Sequence, residues 1–313
     1  MKTVSLVICF YDEEHAIPAL FDRIAALERA IPGYRLEIVC VNDGSTDGTL
    51  DALLARQVGR ERMVVLDLSR NFGKEAALSA GLAHASGDAV VPMDADLQDP
   101  PELIPEMLAR WEEGFEVVLA KRSDRSTDSV SKRVAAGWFY RVHNAMSDIR
   151  IPADVGDFRV IDRCVVDVLN ALPENRRFMK GLFAWAGFRT ATVEYRREPR
   201  SAGRSRFGGR RLWNLAVEGI TSFSLMPLRV WSYVGALVAA GSLAYGAYIL
   251  VRTLVYGRDW PGYASLIVAI LFLGGLQLIG IGIIGEYLGR TYLEAKRRPA
   301  YIVRKVFREP PQA

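Results

Sequence analysis

The sequence predicts an α/β domain with a mostly parallel sheet, followed by two membrane-spanning helices. The first 120 residues alternate short β-branched runs with helix-length stretches, which is typical of a parallel sheet covered by helices. Residues 230–285 are nearly free of charge, whereas residues 1–225 mix apolar and charged positions. At 313 residues, the chain is long enough for one domain of ordinary size and a smaller second part.

The strands are predicted from short runs rich in β-branched and apolar residues. Helix-length stretches such as Ile17–Ala30 and Lys74–Ala85 lie between them, and we expect Gly87 to end the second helix in a left-handed conformation. The first run is followed at once by acidic residues without a cleavage pattern, which indicates a buried strand and not a signal peptide. The predicted strands are Val4–Phe10, Leu36–Val41, Met63–Leu68, Ala89–Met93 and Val117–Ala120.

The C-terminal third carries the membrane prediction. Val230–Val251 and Trp260–Gly285 contain no charged residue, and each exceeds the ~20 residues that a spanning helix needs. Arginines crowd residues 196–211 and basic residues recur at 290–308, whereas the connection holds only Arg252 and Arg258. By the positive-inside rule, we expect the α/β domain and both termini to be cytoplasmic. Two buried helices of a soluble core are the disfavoured alternative.

Four segments follow from these patterns. Residues 206–228 mix arginines with apolar residues, which fits an amphipathic segment lying on the bilayer, with ordinary packing on the domain as the alternative. The predicted segments are a cytoplasmic catalytic domain (1–205), an interfacial segment (206–228), two transmembrane helices within 229–290 (about 230–251 and 262–286) and a basic cytoplasmic tail (291–313).

Composition excludes several classes of protein. The three cysteines are far apart and have no paired-ligand spacing, so neither a disulfide framework nor a zinc site is predicted. The net charge of +4 could indicate a nucleic-acid partner, but the basic residues lie at the membrane edges and no recognition motif is present. We therefore expect no nucleic-acid binding.

An acidic turn follows the predicted strand Ala89–Met93. Asp94 and Asp96 are separated by one residue, and Gln98 adds a further side-chain oxygen. Mg²⁺ and Mn²⁺ bind one or two carboxylates and complete their coordination with water and substrate phosphate oxygens. A lone Asp-x-Asp is more often a solvated turn. Here two more acidic strand ends, at residues 11–14 and 42–49, favour a common nucleotide site at the carboxyl edge of the sheet.

These motifs resemble those of the family 2 glycosyltransferases. The run from Asp94 to Glu102 narrows the resemblance to the polyprenyl-phosphate branch, which includes bacterial undecaprenyl-phosphate (bactoprenol) glucosyltransferases and dolichol-phosphate mannosyl synthases. Asn42 departs from the family pattern, which has an acid there, and Arg206 stands in place of a lysine. The matching motifs lie at residues 11–13, 42–45, 70–75, 94–102, 156–159, 177–183 and 200–206, and the two-helix C-terminal anchor matches as well.

The resemblance implies a Rossmann-like glycosyltransferase-A domain, followed by interfacial helices and a two-helix transmembrane hairpin. It also implies transfer of a sugar, most simply glucose from UDP-glucose, to undecaprenyl phosphate with inversion. The product is a lipid-linked monophosphate sugar for modification of cell-envelope glycans. Relatives form homotetramers, so a homo-oligomer is expected. The resemblance to the bacterial subgroup also implies a location at the bacterial inner membrane.

Residue roles are carried over from the resemblance position by position. The residues expected to bind the nucleotide are Tyr11, Glu13, Asp43, Asp94 and Ala95. The residues expected to bind the metal ion, Mg²⁺ or Mn²⁺, are Asp94, Asp96 and Gln98. The catalytic set is Asp96, Asp157, Arg122 and Arg133, in which the arginines bind phosphates. Arg200, Ser205 and Arg206 belong to the loop that meets the acceptor phosphate.

Asp157 has two candidate roles. It is either a general base or a residue that positions the acceptor, and we favour positioning because a phosphate monoester with a second pKa near ~6 is already largely ionised at neutral pH.

Alternatives to UDP-glucose remain open: GDP-mannose, UDP-galactose or a UDP-amino-arabinose type of donor. From a different class, a non-catalytic membrane-tethered scaffold that binds nucleotide sugars would retain the site without turnover. A processive polymer synthase is disfavoured, because the Gln-x-x-Arg-Trp motif of those enzymes is absent from the sequence.

Overall fold

A computed structural model describes residues 1–122, 155–175, 177–195, 226–256 and 262–308. Eight of the described strands form one sheet in the order β7-β5-β6-β4-β1-β2-β3-β8. The strands are β1 Lys2–Phe10, β2 Tyr34–Asn42, β3 Met63–Leu68, β4 Ala89–Asp94, β5 Val117–Arg122, β6 Val155–Asp162, β7 Thr190–Tyr195 and β8 Val303–Arg308. The helices are α1 Ile17–Ala30, α2 Thr49–Gln57, α3 Lys74–His84, α4 Ile104–Glu112, α5 Arg163–Ala171, α6 Met179–Ala186, α7 Met226–Tyr256 and α8 Tyr263–Ala295.

The centre of the sheet is parallel, as the strand-helix alternation predicts. β1 pairs in parallel with both β2 and β4, β2 with β3, and β5 with β7. β6 runs antiparallel between β4 and β5, and β8 runs antiparallel on β3. All five strands predicted from the sequence are present, within about two residues at each end.

Helices cover both faces of the sheet and bury its apolar side chains. Along β1, Leu6 and Ile8 point to a core shared with α1, α2 and α4, whereas Val7 points to a core shared with α3, α5 and α6. Because side chains alternate along a strand, a continuous apolar run such as residues 6–8 fills both cores at once. The arrangement is a three-layer α/β domain, which confirms the predicted fold class.

Gly87 is required for a reason that differs from the one expected. The expectation of a left-handed cap after α3 was wrong, since Gly87 is not among the glycines with positive φ and Ala85 already leaves the helix in an extended conformation. A Cβ atom on Gly87 would lie 2.6 Å from Oγ of Ser5 and 2.8 Å from the carbonyl oxygen of Thr3. The glycine therefore permits close passage of the chain against β1.

The hairpin helices are longer than predicted. Within α7 and α8, the stretches Leu228–Val255 and Val268–Ala295 are long and apolar enough to cross a membrane, and only 0% and 6% of their most apolar windows are buried. Their large aliphatic side chains face outward, which fits a lipid environment and not a soluble core. A Cβ atom on Gly280 would lie 2.0 Å from Nε1 of Trp231, so this glycine lets α8 approach α7 closely.

The C-terminal segment adds a strand that the sequence analysis did not predict. α8 continues to Ala295, and residues 303–308 then return to the sheet as β8. Gln57 of α2 connects β3 and β8, because its side-chain Nε2 donates to the carbonyls of Met63 and Phe307 at 2.8 and 2.9 Å. Glu294 near the end of α8 accepts the backbone N–H of Asn175 at 2.9 Å. The contact of Gln57 with Phe307 fixes β8, and the contact of Glu294 with Asn175 joins the hairpin to the α/β domain.

Candidate active site

The predicted acidic strand ends meet at one edge of the sheet. Phe10 of β1 is in register with Asn42 of β2, and Cys9 of β1 is in register with Asp94 of β4. The loops that follow these three strands therefore emerge side by side. This is the position at which open α/β sheets bind ligands.

The loops after β1 and β2 are held together by hydrogen bonds. The backbone N–H of Asp12 donates to Oγ of Ser45 at 3.1 Å, and Oδ1 of Asp12 accepts the N–H of Thr46 at 2.8 Å. The backbone N–H of Glu13 donates to Oγ1 of Thr49 at 2.9 Å. Asp12 adopts a φ of 53°, a left-handed conformation that aspartate tolerates better than most residues. These bonds fix the backbone on both sides of Glu13.

Asp43 holds the loop that precedes α3. Its two carboxylate oxygens accept the backbone N–H groups of Phe72 and Gly73 at 2.7 and 2.9 Å. The residue is 3% exposed, and burial raises the pKa of its carboxyl group, although the two amides and Arg70 oppose that shift. Asp43 thus has a clear structural task, and its role in nucleotide binding stays a prediction.

Lys74, the first residue of α3, lies between two carboxylates. Its Nζ is 2.6 Å from Oδ1 of Asp94 and 2.7 Å from Oδ2 of Asp157. Burial alone lowers the pKa of Lys74, but Asp157 and Asp94 outweigh it and keep that pKa well above the ordinary value. The sequence analysis assigned Lys74 no role. A lysine at a helix N-terminus is unfavourable with respect to the helix dipole. This unfavourable placement was the sequence feature that could have indicated a functional role for Lys74.

Asp157 lies on β6, the antiparallel neighbour of β4. Burial raises the pKa of its carboxyl group, but the opposing effect of Lys74 and Lys180 is larger. The net pKa is therefore well below the ordinary value, and the group is ionised. Its Oδ1 is buried and has no hydrogen-bond partner within the described residues. Arg159 stacks over the ring of Phe183 at 4.0 Å, and burial lowers the pKa of its guanidinium to about 10. Asp157 therefore offers an ionised oxygen at this edge.

Glu75 is a second buried carboxyl group, and the sequence analysis assigned it no role. Its Oε2 accepts the backbone N–H of Met179 at 3.2 Å, which ties α3 to the start of α6. Burial and the charge of Asp157 raise its pKa to about 7. The two carboxyl groups thus have pKa values far apart, with Asp157 ionised and Glu75 partly protonated at neutral pH.

The acidic turn after β4 presents oxygen atoms. Asp96 is 6% exposed, its Oδ1 accepts the backbone N–H of Gln98 at 3.1 Å, and Leu97 between them has a φ of 59°. Ala95 is buried and contributes only backbone atoms. Among the described residues, no group of three or more His, Cys, Asp or Glu side chains is arranged to hold a metal ion. Two carboxylates and an amide fit a hard cation that takes its remaining ligands from substrate and water.

Arg122 closes the far side of this edge. It ends β5 in register with Tyr195 of β7 and contacts the Tyr195 hydroxyl group, which donates to Oδ1 of Asp99 at 2.5 Å. Burial, followed by Asp99, raises the pKa of Tyr195 to about 12. A Cβ atom on Gly156 would lie 3.6 Å from Nη2 of Arg122, so the guanidinium borders the segment that carries Asp157.

Comparison with known families decides the class of protein. The model of Glycosyl transferase family 2 matches residues 5–169, and a model described as the GtrB C-terminal hairpin matches residues 226–291. The chain belongs to glycosyl transferase family 2. It is 53% identical to the SfII prophage-derived bactoprenol glucosyl transferase of Shigella flexneri, over 98% of this chain and 99% of that protein. It is 50% identical to the prophage bactoprenol glucosyl transferase homolog of Escherichia coli K12, over 97% and 99%.

Solved structures of glycosyltransferases match this chain at lower similarity. A mannosyltransferase from Pyrobaculum calidifontis, in complex with GDP-Man and Mn²⁺, matches with a TM-score of 0.47 and 17% identity, covering 89% of this chain and 86% of that chain.

Not all predicted site residues of this glycosyltransferase lie in the described part of the chain. The structure brings together Asp94, Asp157 and Lys74, with Asp43 supporting the loop before Lys74. Tyr11 is 36% exposed after β1. Arg133, Arg200, Ser205 and Arg206 lie outside the described residues, as does the larger part of the predicted interfacial segment 206–228.

Proposed function

We propose that this glycosyltransferase moves glucose from UDP-glucose to the phosphate of a polyprenyl phosphate, with inversion at the anomeric carbon. The observation that carries the proposal is the pair of ion contacts from Lys74 to Asp94 and Asp157, which joins the predicted diphosphate side and the predicted acceptor side into one site. The full-length similarity to proteins named bactoprenol glucosyl transferases supports the sugar and the lipid class.

The donor is proposed to bind across the ends of β1, β2 and β4. Tyr11, Glu13 and Asp43 hold the base and ribose, and the turn after β4 faces the diphosphate. Asp94, Asp96 and Gln98 would hold Mg²⁺ or Mn²⁺. When bound, such an ion neutralises negative charge on the departing nucleoside diphosphate. The buried oxygen atoms of the turn support this assignment.

The protein side chains supply positioning and charge at the reacting centre. The Lys74 ammonium contacts Asp94 on the proposed diphosphate side of the site. A preorganised cation near a leaving diphosphate stabilises the transition state. Asp157 is ionised, and its Oδ1, which has no hydrogen-bond partner among the described residues, can orient the acceptor phosphate through a shared cation or a bound water. The acceptor phosphate is already ionised at neutral pH, so proton removal by Asp157 is not required. We therefore assign Asp157 to positioning.

The acceptor is proposed to reach the site from the bilayer beside the hairpin. Arg122 and Arg133, together with the loop that contains Arg200, Ser205 and Arg206, would bind its phosphate. The strands before the hairpin and β8 after it belong to one sheet, which supports a topology with both flanks on the same side of the membrane. We propose that this side is cytoplasmic, because basic residues flank the hairpin there and the positive-inside rule favours that orientation. Assembly as a homotetramer stays a prediction.

The test is a product assay with purified full-length protein, a short polyprenyl phosphate, Mg²⁺ and a panel of UDP- and GDP-sugars. We expect a lipid-linked hexose with UDP-glucose alone, detected by mass spectrometry, and loss of at least about 100-fold in rate for Asp96→Ala or with a chelator. Product with a different donor would correct the sugar only. Binding of nucleotide sugar without turnover for any donor would support the scaffold instead. Asp22→Ala, an exposed change on α1, is the matched control.

A further inference from the structure

The C-terminal strand begins at the same edge of the sheet as the candidate active site. β8 runs antiparallel to β3 with Lys305 opposite Asp67, and the backbone N–H of Ser69 donates to the carbonyl of Ile302 at 2.9 Å. The family models match residues 5–169 and 226–291, so neither of them covers β8. The strand that follows the membrane hairpin thus contacts the end of β3 directly.

Arg304 makes this connection through its guanidinium group. Nη2 donates to the carbonyl of Ser69 at 2.7 Å, and Nη1 lies 3.6 Å from Oδ2 of Asp67. The Asp67 side chain is 6% exposed, so its carboxylate depends on partners, whereas the Arg304 side chain is 63% exposed. Ion pairs with one exposed member contribute little to overall stability. The contact is therefore better suited to fixing the position of the β3 end than to stabilising the fold.

From Asp67, hydrogen bonds continue across the ends of β2 and β1. Nδ2 of Asn42 donates to Oδ1 of Asp67 at 2.8 Å, and Oδ1 of Asn42 accepts the backbone N–H of Ser45 at 3.2 Å. Oγ of Ser45 in turn accepts the backbone N–H of Asp12 at 3.1 Å. An acid in place of Asn42 would face the Asp67 carboxylate, and the amide avoids this repulsion. A chain of contacts thus leads from Arg304 to the loop of the predicted nucleotide-binding residues.

A second branch starts from Ser69. Its carbonyl, bound by Arg304, begins the short loop 69–73 that leads into α3. At its other end, the same loop is bound by Asp43 through the backbone N–H of Gly73. The loop leads directly to Lys74, which contacts the Asp94 carboxylate. Gly44 adopts a φ of 64°, and a Cβ atom there would lie 2.4 Å from the backbone of Arg70, so the loops after β2 and β3 are in direct contact. Displacement of one loop displaces the other.

We infer that Arg304 is a positioning residue for the nucleotide-sugar site: it holds the ends of β3 and β2 so that the nucleotide-binding loops and Lys74 keep their places. The inference rests on the proposed function, because it takes the ligand at these loops to be a nucleotide sugar. It makes the strand after the membrane hairpin a part of the donor site, although Arg304 itself contacts neither the metal turn nor Asp157.

The experiment compares Arg304→Met with Arg308→Met in the full-length protein. Arg308 lies on the same strand opposite Val64, at the end remote from the site, so both variants lose one positive charge from β8. For Arg304→Met we expect the Kd for UDP, measured by calorimetry, and the KM for UDP-glucose to rise about fivefold, with the KM for polyprenyl phosphate and the Tm unchanged. Arg308→Met should match the wild type, and Arg304→Lys should recover part of the loss.

Three results would count against Arg304 in this role. Equal weakening of UDP binding in both methionine variants would indicate a general charge effect. A lower Tm with parallel changes in the KM values of both substrates would indicate a structural role. Either of these results, with normal binding by the wild type, overturns the inference alone. A wild-type protein that binds no UDP overturns the proposed function and the inference with it.

Discussion

The carboxylate that follows β2 and the carboxylates at the end of β4 and near the start of β6 have different kinds of partner. Asp43 at the end of β2 is bound by two backbone N–H groups, which belong to the loop and cannot be exchanged without moving it. Asp94 and Asp157 are bridged by the Nζ of Lys74, a side-chain cation on a flexible stem. The backbone-bound carboxylate of Asp43 therefore fixes the loop before α3. The carboxylates of Asp94 and Asp157 can exchange Lys74 for a metal ion or a substrate. Substitutions at Asp43 and at Lys74 should therefore have different consequences.

The largest expected effect is a loss of turnover on substitution of Lys74, which lies between Asp94 and Asp157. We expect Lys74→Met to lower kcat about 100-fold, because a preorganised cation near the leaving diphosphate is removed. The two carboxylates then face each other without a cation, so the Tm should fall as well. The double variant Lys74→Met/Asp157→Asn removes that repulsion, and we expect it to regain Tm but not kcat. An unchanged kcat in Lys74→Met would show that the Lys74 ammonium does not contribute to turnover.

The next effect is on stability, at Asp43. Asp43→Ala removes both acceptors of the Phe72 and Gly73 N–H groups, and we expect the free energy of unfolding to fall by about 2 kcal/mol. Thermal unfolding in detergent should show a Tm several degrees lower than that of Asp22→Ala, whose carboxylate is exposed on α1. An unchanged Tm combined with weaker UDP binding would place Asp43 with the substrate-facing carboxylates instead.

The smallest effect concerns the pH dependence that Glu75 introduces. Its pKa is raised from 4.5 to about 7 in the folded protein, so its contribution to stability is present below pH 4.5 and is lost as the pH rises through about 7. Glu75→Gln keeps an acceptor for the Met179 N–H without this titration. The Tm of Glu75→Gln relative to the wild type should therefore increase between pH 5 and pH 8. Glu106→Gln, at an exposed position on α4, should show no such trend.

Local sequence determined the elements that depend on local patterns. The runs that became β1 and β3 and the helix Ile17–Ala30 were predicted closely, because burial on both faces and helical periodicity leave their mark on neighbouring residues. The hairpin was predicted for the same reason, since a spanning helix needs a long uncharged stretch. The convergence of Asp12, Asn42 and Asp94 also followed, because parallel strands end at one edge.

Tertiary structure alone decided which side chains became partners. Lys74 and Asp157 are far apart in sequence, and only the antiparallel insertion of β6 beside β4 brings them to 2.7 Å. The return of residues 303–308 to β3, and with it the contact of Arg304, required a pairing with no local signal beyond a short apolar and basic run. Gly87 was interpreted as a cap because its need for space arises from a strand 82 residues away at Ser5. Contacts of this kind are set by sheet order, which local sequence patterns do not encode.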